Sequence, residues 1–311
     1  MALKIKEICN QEEKLASGHR MCHGCPEGII VRQVLHAITA MGKPVVTASP
    51  TGCLEVCTSA YPQTAWKVPW IHNAFENVSS TLAAVWTTYM HFVKIGKIEE
   101  RDIKFVAFAG DGATYDIGFQ FLSGVVERGQ HIIYICLNNE AYMNTGTQRS
   151  GATPLGAWTT TTPVGKVIPG KTEHRKDVVG MLVKNGISYA AQAAPHDFMD
   201  LMRKTQKAAS IDGPSYIDVL APCPRGWRFP DDQTIYQSRL ASETCMWPLF
   251  EVENGKYKIT KKPREKKLVE EYLKVQGRFG HLFLPENRHI IDELQEKVDK
   301  DWEELQRASA S

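Results

Sequence analysis

The sequence lacks an excess of charge of either sign: 37 Lys and Arg stand against 35 Asp and Glu in 311 residues, a net +2. Such a balance gives no field that gathers nucleic acid or an acidic surface. No apolar run is long enough to span a bilayer. The opening MALKIKEICNQEEK is charged throughout, where a secretory signal needs an apolar core. Internal repeats and low-complexity stretches are missing as well. What remains is the expectation of a soluble cytoplasmic protein, long enough to bury a sizeable core.

Cysteine is not scarce. The chain has Cys9, Cys22, Cys25, Cys53, Cys57, Cys136, Cys223 and Cys245. In a reducing compartment these are not expected to form disulfides, so the short spacing Cys22-x-x-Cys25 points to metal or redox chemistry.

The stretch from Phe105 to Gln148 organises the chain. An apolar run, Lys104 to Ala109, ends at Gly110-Asp111-Gly112; an amphipathic segment follows; a second run, His131 to Leu137, ends at Asn138-Asn139. This pattern reads as a βαβ unit of a buried parallel sheet. Both polar ends then fall at the carboxyl ends of strands, where open α/β sheets bind ligands. Asp111 offers a carboxylate and Asn139 an amide oxygen, donors that suit Mg2+ shared with a phosphate. Gly110 and Gly112 let backbone approach phosphate oxygens, and the following helix N-terminus favours the anion. A lone GDG is more simply a strand-to-helix turn. Paired with NN across residues 113–137, each after a strand, it reads as a cofactor site.

The N-terminal GHRMCHGC lies ahead of a helix that Pro26 can open and IIVRQVLHAI continues. Zinc, a redox dithiol, an iron–sulfur cluster and plain buried cysteines all fit this loop. Cys53 follows the strand Pro44 to Ala48, and Cys223 follows the strand Ser215 to Leu220, both in Gly/Pro-rich turns. Four cysteines at one sheet edge would complete the ligand set of a cubane cluster. Cys57 rivals Cys53 on sequence alone. Cys136, inside a strand, reads as core.

The GDG…NN pair resembles the thiamine diphosphate signature. In that family the Asp, the second Asn and a carbonyl two residues later hold Mg2+, which implies Asp111, Asn139 and the carbonyl of Ala141. Wider motifs extend the resemblance: GHRMCHGC, SPTGCLEV, GDGATYDIG, NNEAYMNTGTQRSGATPLGAWTTTTPVGK and VLAPCPRGWRF, in this order. Together they resemble the β subunit of the 2-oxoacid:ferredoxin oxidoreductases, of the pyruvate type or its oxalate-oxidising relative, over residues 15–250. The resemblance implies that Cys22, Cys25, Cys53 and Cys223 bind a four-iron four-sulfur cluster. It places Thr51, Gly110, Gly112, Ala113, Tyr142, Asn144 and Thr145 on the cofactor, with Asn144 able to hydrogen-bond the substrate.

Thiamine diphosphate is an electron sink for 2-oxoacid decarboxylation, and a nearby cluster accepts single electrons, so the two motifs explain each other. The family's activating glutamate belongs to a separate domain, and no second domain of that kind is legible here. No C-x2-C-x2-C run carries electrons onward either. The expected partners are therefore an α-type chain, a ferredoxin-like subunit and ferredoxin. The expected substrate is a small 2-oxoacid, pyruvate or oxalate, and coenzyme A use follows from which. The segment HGCPEG departs from the small residues expected there and brings Glu27 near the cluster. The competing readings are a non-redox thiamine decarboxylase or carboligase component with a zinc or structural site in place of the cluster, and an electron-transfer or binding module in which GDG…NN is only turns.

Elsewhere, WIHNAFENVSSTLAAVWTTYMHFVKIG reads as a loop with His72, Glu76 and Asn77, then a long helix with His91 on its apolar face. Residues 140–175 read as a long polar loop. FEVENGKYKIT reads as a hairpin turning on Asn254-Gly255, and Asn287 to Gln306 as an amphipathic helix. The expected fold is α/β: a doubly wound parallel sheet of the thiamine diphosphate-binding type. Residues 1–222 would form that domain with its cysteine loop. Residues 223–311 would be a C-terminal extension packed on the body or on a partner.

Overall fold

A computed structural model describes residues 5–60 and 62–310; the first four residues of the charged opening stretch lie outside these. Eight strands form one sheet: β1 (Val45–Pro50), β2 (Trp70–Asn73), β3 (Lys104–Gly110), β4 (Ile133–Asn138), β5 (Tyr189–Ala193), β6 (Ser215–Leu220), β7 (Leu249–Glu253) and β8 (Lys256–Lys261). Their order is β2-β1-β3-β4-β6-β5-β7-β8. The first six run parallel, and the hairpin β7–β8 is added antiparallel to β5.

The sheet is buried on both faces because its central strands are apolar at most positions. Val106, Phe108, Ile133, Ile135, Leu137, Ile217 and Val219 point to one side, where the helix Glu27–Thr39 lays down Ile30, Val31, Val34, Leu35 and Ile38. Phe105, Ala107, Ala109, Tyr134 and Tyr216 point to the other, under the helices Val78–Lys94 and Phe119–Glu127. This period of two is what a strand imposes on its side chains. Each fully buried Val, Leu or Ile stabilises by about 1.5–3 kcal/mol.

A third apolar cluster gathers Trp227, Trp247, Phe279 and Leu282 with Ile290, Leu294, Val298 and Trp302 of the helix Arg288–Ala310. The C-terminal stripe thus packs on the body. The hairpin turns through Asn254 at φ 50° and Gly255 at φ 79°, as an Asn-Gly turn should.

Three expectations need correction. Trp70–Asn73 is a strand, not a loop; it has no clear alternation of its own and is set by pairing with β1. His91 is exposed, because the helix buries only its first turns, at Val78, Ser79, Leu82 and Ala83. Cys53 heads a short helix, Cys53–Thr58, rather than lying in a turn. The long loop has the expected extent and no helix or strand, yet residues 150–157 are all buried.

Candidate functional site

The chain leaves β1 towards β2 on one side, then crosses back to β3 on the other. A crevice opens at this switch point, beyond the carboxyl ends of β1 and β3, as parallel sheets of this kind require. Thr51, Gly110, Gly112, Ala113, Asn139, Ala141, Tyr142, Asn144 and Thr145 all line it, and so do Cys53 and Glu27. Asp111 lies beneath, fully buried. The Tyr142 ring lies against Gly112 so closely that a Cβ there would sit 2.6 Å from it. A wide π-type turn, Gly112–Ile117, follows, pinned by Thr114 donating to the Gly110 carbonyl at 2.8 Å. Such turns recur at functional sites.

The polar atoms of the crevice are nearly all committed. Asp111 accepts the Asn139 backbone N–H at 3.2 Å and the Ser150 hydroxyl at 2.5 Å. Asn139 donates its side-chain amide to Glu27 at 3.2 Å, and its carbonyl accepts the Trp227 indole N–H at 2.8 Å. Asn139 Oδ1, in contrast, is buried and without a partner. A buried unpaired acceptor is costly and needs an explanation. Burial also pushes the Asp111 carboxyl well above its ordinary range, which a cation would reverse. A hard divalent cation fits both atoms.

Glu27 is the main residue that sequence reasoning undervalued. It is 4% exposed, its Oε2 has no partner, and burial pushes its carboxyl up to about 7. Its only signal was an acidic side chain directly after the C-x-x-C-Pro turn.

The cysteine loop folds back onto this edge. Gly24, at φ 71°, presses on the backbone of Asp231, where any Cβ would collide at 2.1 Å from the Asp231 carbonyl oxygen. The Thr234 hydroxyl donates to the Gly24 carbonyl at 2.6 Å. Burial first, then charge on Glu27 and neighbouring sulfurs, pushes the thiols of Cys25 and Cys53 far above their usual range. After burial, the Cys223 sulfur adds to the rise at Cys25 and Cys53, Cys25 adds to that at Cys53, and Cys22 adds to those at Cys25 and Cys223. Each of the four sulfurs lies within electrostatic reach of at least two of the others. Cys57 adjoins Cys22 and Cys53. Cys223 Sγ also accepts the Gly226 N–H at 3.4 Å, a bond suited to a thiolate.

Cys136 and Cys245 are buried in apolar clusters, and Cys9 is exposed on the first helix, Ile5–Cys9. Among the described residues, no three His, Cys, Asp or Glu side chains close on a single ion. A cubane is a different demand, since its thiolates bind separate irons.

Of the polar residues after β2, His72 contacts Thr51 Oγ1 at 3.0 Å and lies 3.7 Å from Glu55. Asn77 stands at the helix N-terminus without a side-chain capping bond. Asn144 and Thr145 are exposed at the mouth of the crevice. Among the described residues, no helix is long and apolar enough to cross a membrane.

The chain is similar to proteins of one known family. Residues 51–219 match the family described as thiamine pyrophosphate enzyme, C-terminal TPP binding domain. Pyruvate synthase subunit PorB of Thermotoga maritima is 49% identical, covering 98% of this chain and 96% of its own. The PorB subunit of Methanocaldococcus jannaschii is 46% identical over 93% and 94%. Ketoisovalerate oxidoreductase subunit VorB of Pyrococcus abyssi is 42% identical over 95% and 93%. A solved 2-oxoglutarate:ferredoxin oxidoreductase of Magnetococcus marinus shares the fold, with a TM-score of 0.57 over 74% of this chain and 81% of that chain at 17% identity.

Proposed function

The chain belongs to the thiamine pyrophosphate enzymes, as a β subunit of the 2-oxoacid:ferredoxin oxidoreductases, and on that premise we propose that it carries both thiamine diphosphate with Mg2+ and a four-iron four-sulfur cluster in a pyruvate-oxidising complex. When bound, thiamine diphosphate supplies the electron sink for decarboxylation, and the cluster takes up single electrons. Asp111, Asn139 Oδ1 and the carbonyl of Ala141 hold the cation. The backbone at Gly110, Gly112 and Ala113 receives the diphosphate. Thr51, Tyr142 and Thr145 border the thiazole side. Asn144 orients the carboxylate or carbonyl of the substrate from the crevice mouth. Cys22, Cys25, Cys53 and Cys223 would hold the cluster, and Glu27 links the two halves of the site, bonded to Asn139 and acting on Cys25, Cys53 and Cys223.

The observation that carries this reading is Asn139, whose backbone N–H, carbonyl and side-chain amide are partnered while Oδ1 is buried with no partner. The gathered sulfurs support the redox half. The exposure of Asn144 and Thr145 fits a site completed by another chain. That chain would be an α-type subunit supplying the aminopyrimidine side and the activating glutamate. A ferredoxin-like subunit and ferredoxin would take the electrons onward. Pyruvate is favoured by the relatives named pyruvate synthase; oxalate and the branched 2-oxoacid of the VorB relative are the competitors.

The test is a ferredoxin-linked assay on the complex purified without oxygen. Pyruvate, oxalate and 2-oxoisovalerate are each supplied with and without coenzyme A. Reduction that needs both pyruvate and coenzyme A is expected. Reduction by oxalate alone would reassign the substrate. Turnover with no electron acceptor and no iron would favour the non-redox decarboxylase.

A further inference from the structure

The turn 139–141 is held from the far end of the sequence. Trp227 is fully buried in the short helix Pro224–Trp227, which Cys223 caps. Its indole N–H donates to the Asn139 carbonyl at 2.8 Å. Arg278, 2% exposed, lies with its guanidinium 3.9 Å above the Trp227 ring. The same guanidinium donates to Glu140 Oε2 at 2.5 Å and to Gln276 Oε1 at 2.9 Å. The Arg278 carbonyl in turn accepts the Trp158 N–H at 3.0 Å.

Glu140 shows why such support is needed. It is a non-glycine residue at φ 64°, in the left-handed region that side chains rarely adopt. Its N–H donates to Asn138 Oδ1 at 3.2 Å, and its carbonyl accepts the Thr153 hydroxyl at 2.6 Å. The Arg175 guanidinium stands 3.7 Å from its other carboxylate oxygen. A buried ion pair often adds no more stability than apolar residues of equal volume. Its use here is geometric: it fixes the one residue between two expected metal ligands.

We propose that Trp227 and Arg278 are positioning residues for the metal-binding turn. The indole and guanidinium, stacked as one unit, lock Asn139 and Glu140 so that Asn139 Oδ1 and the Ala141 carbonyl stand ready for the cation. This rests on the reading of Asp111, Asn139 and Ala141 as its ligands. The unit also joins the turn mechanically to the helix at Cys223. Partners behind metal ligands of this kind commonly affect affinity by about 10–100-fold.

The experiment uses the assembled complex, kept anaerobic and loaded with thiamine diphosphate. Mn2+ replaces Mg2+, and free Mn2+ is followed by electron paramagnetic resonance. Trp227→Phe keeps an aromatic face for the stack but removes the N–H donor. Arg278→Lys keeps the charge but loses the planar fork. Both are expected to weaken Mn2+ binding about 10-fold, with excess Mn2+ restoring kcat. Should Trp227→Phe not assemble, Arg278→Lys carries the comparison. Asp111→Asn is the reference and should abolish Mn2+ binding. If it does and both other variants bind like the unaltered protein, the positioning role is wrong and the ligand assignment stands. If Asp111→Asn binds normally, the ligand assignment itself falls. Activity lost but not restored by metal would also overturn the proposal, since it would indicate a merely structural defect.

Discussion

Two residues show how much chemistry depends on a single contact. Asp111 is buried with its carboxyl pushed above the ordinary range by desolvation, a burden that a bound cation removes. Asp111→Asn keeps the shape and can keep both hydrogen bonds. We expect thiamine diphosphate binding in the presence of Mg2+ to fall beyond the 10–100-fold of outer-shell changes, read by calorimetry, while the cofactor-free melting curve barely moves. Gly112 faces the Tyr142 ring at a distance no Cβ tolerates. Gly112→Ala should cost about 1–3 kcal/mol by overpacking, measured by urea denaturation, and Gly112→Ala with Tyr142→Leu should recover most of it. The GDG and NN motifs were legible because their spacing along the chain is itself the signal. Glu27, Ser150, Trp227 and Arg278 were not, because their roles arise only when segments far apart in sequence meet. Nothing local to Arg278 announces a partner at Glu140.

Elements were legible in proportion to their burial. The strands β3, β4 and β6 are mostly apolar and buried on both faces, and their positions follow from their apolar runs. The edge strand β2 is four residues long and takes its state from β1, which no local pattern records. His91 illustrates the opposite error: helical periodicity places it on a face, but only the start of its helix meets the core. The joint between the body and the helix Thr234–Glu243 has its own signature. His196 Nδ1 meets Ser238 Oγ at 3.0 Å, and burial lowers the imidazole to about 4. Its folded value lies below its unfolded one, near 6.5. The unfolded chain therefore binds the extra proton first, and stability is lost as pH falls from about 6.5 to 4, by up to about 3 kcal/mol. Denaturant titrations at pH 7 and pH 4.5 should show this loss, and His196→Gln should reduce it. An unchanged slope in the variant would remove His196 from the account.

At the scale of the molecule, one sheet edge gathers two kinds of chemistry. Beyond β1 and β3 lies a crevice that fits a diphosphate and its cation, and the cysteine loop, the Cys53 helix and the Cys223 helix close over the same edge. The C-terminal segment ties them together: its hairpin extends the sheet, Trp227 reaches the Asn139 carbonyl, and Thr234 holds Gly24. The exposed mouth at Asn144 and Thr145 leaves the crevice open to a second chain. We expect the chain alone to turn over no 2-oxoacid and to gain activity on adding its partner subunits. Full ferredoxin-linked activity of the isolated chain would contradict that.

The central claim is that a cluster on this chain takes electrons beside thiamine. It is tested most directly by iron and acid-labile sulfide in three anaerobic complexes: unaltered, Cys25→Ala with Cys53→Ala, and Cys57→Ala. We predict that the double variant loses about four irons and four sulfides together with ferredoxin reduction, while Cys57→Ala keeps both. Equal iron in the unaltered complex and the double variant would contradict the account.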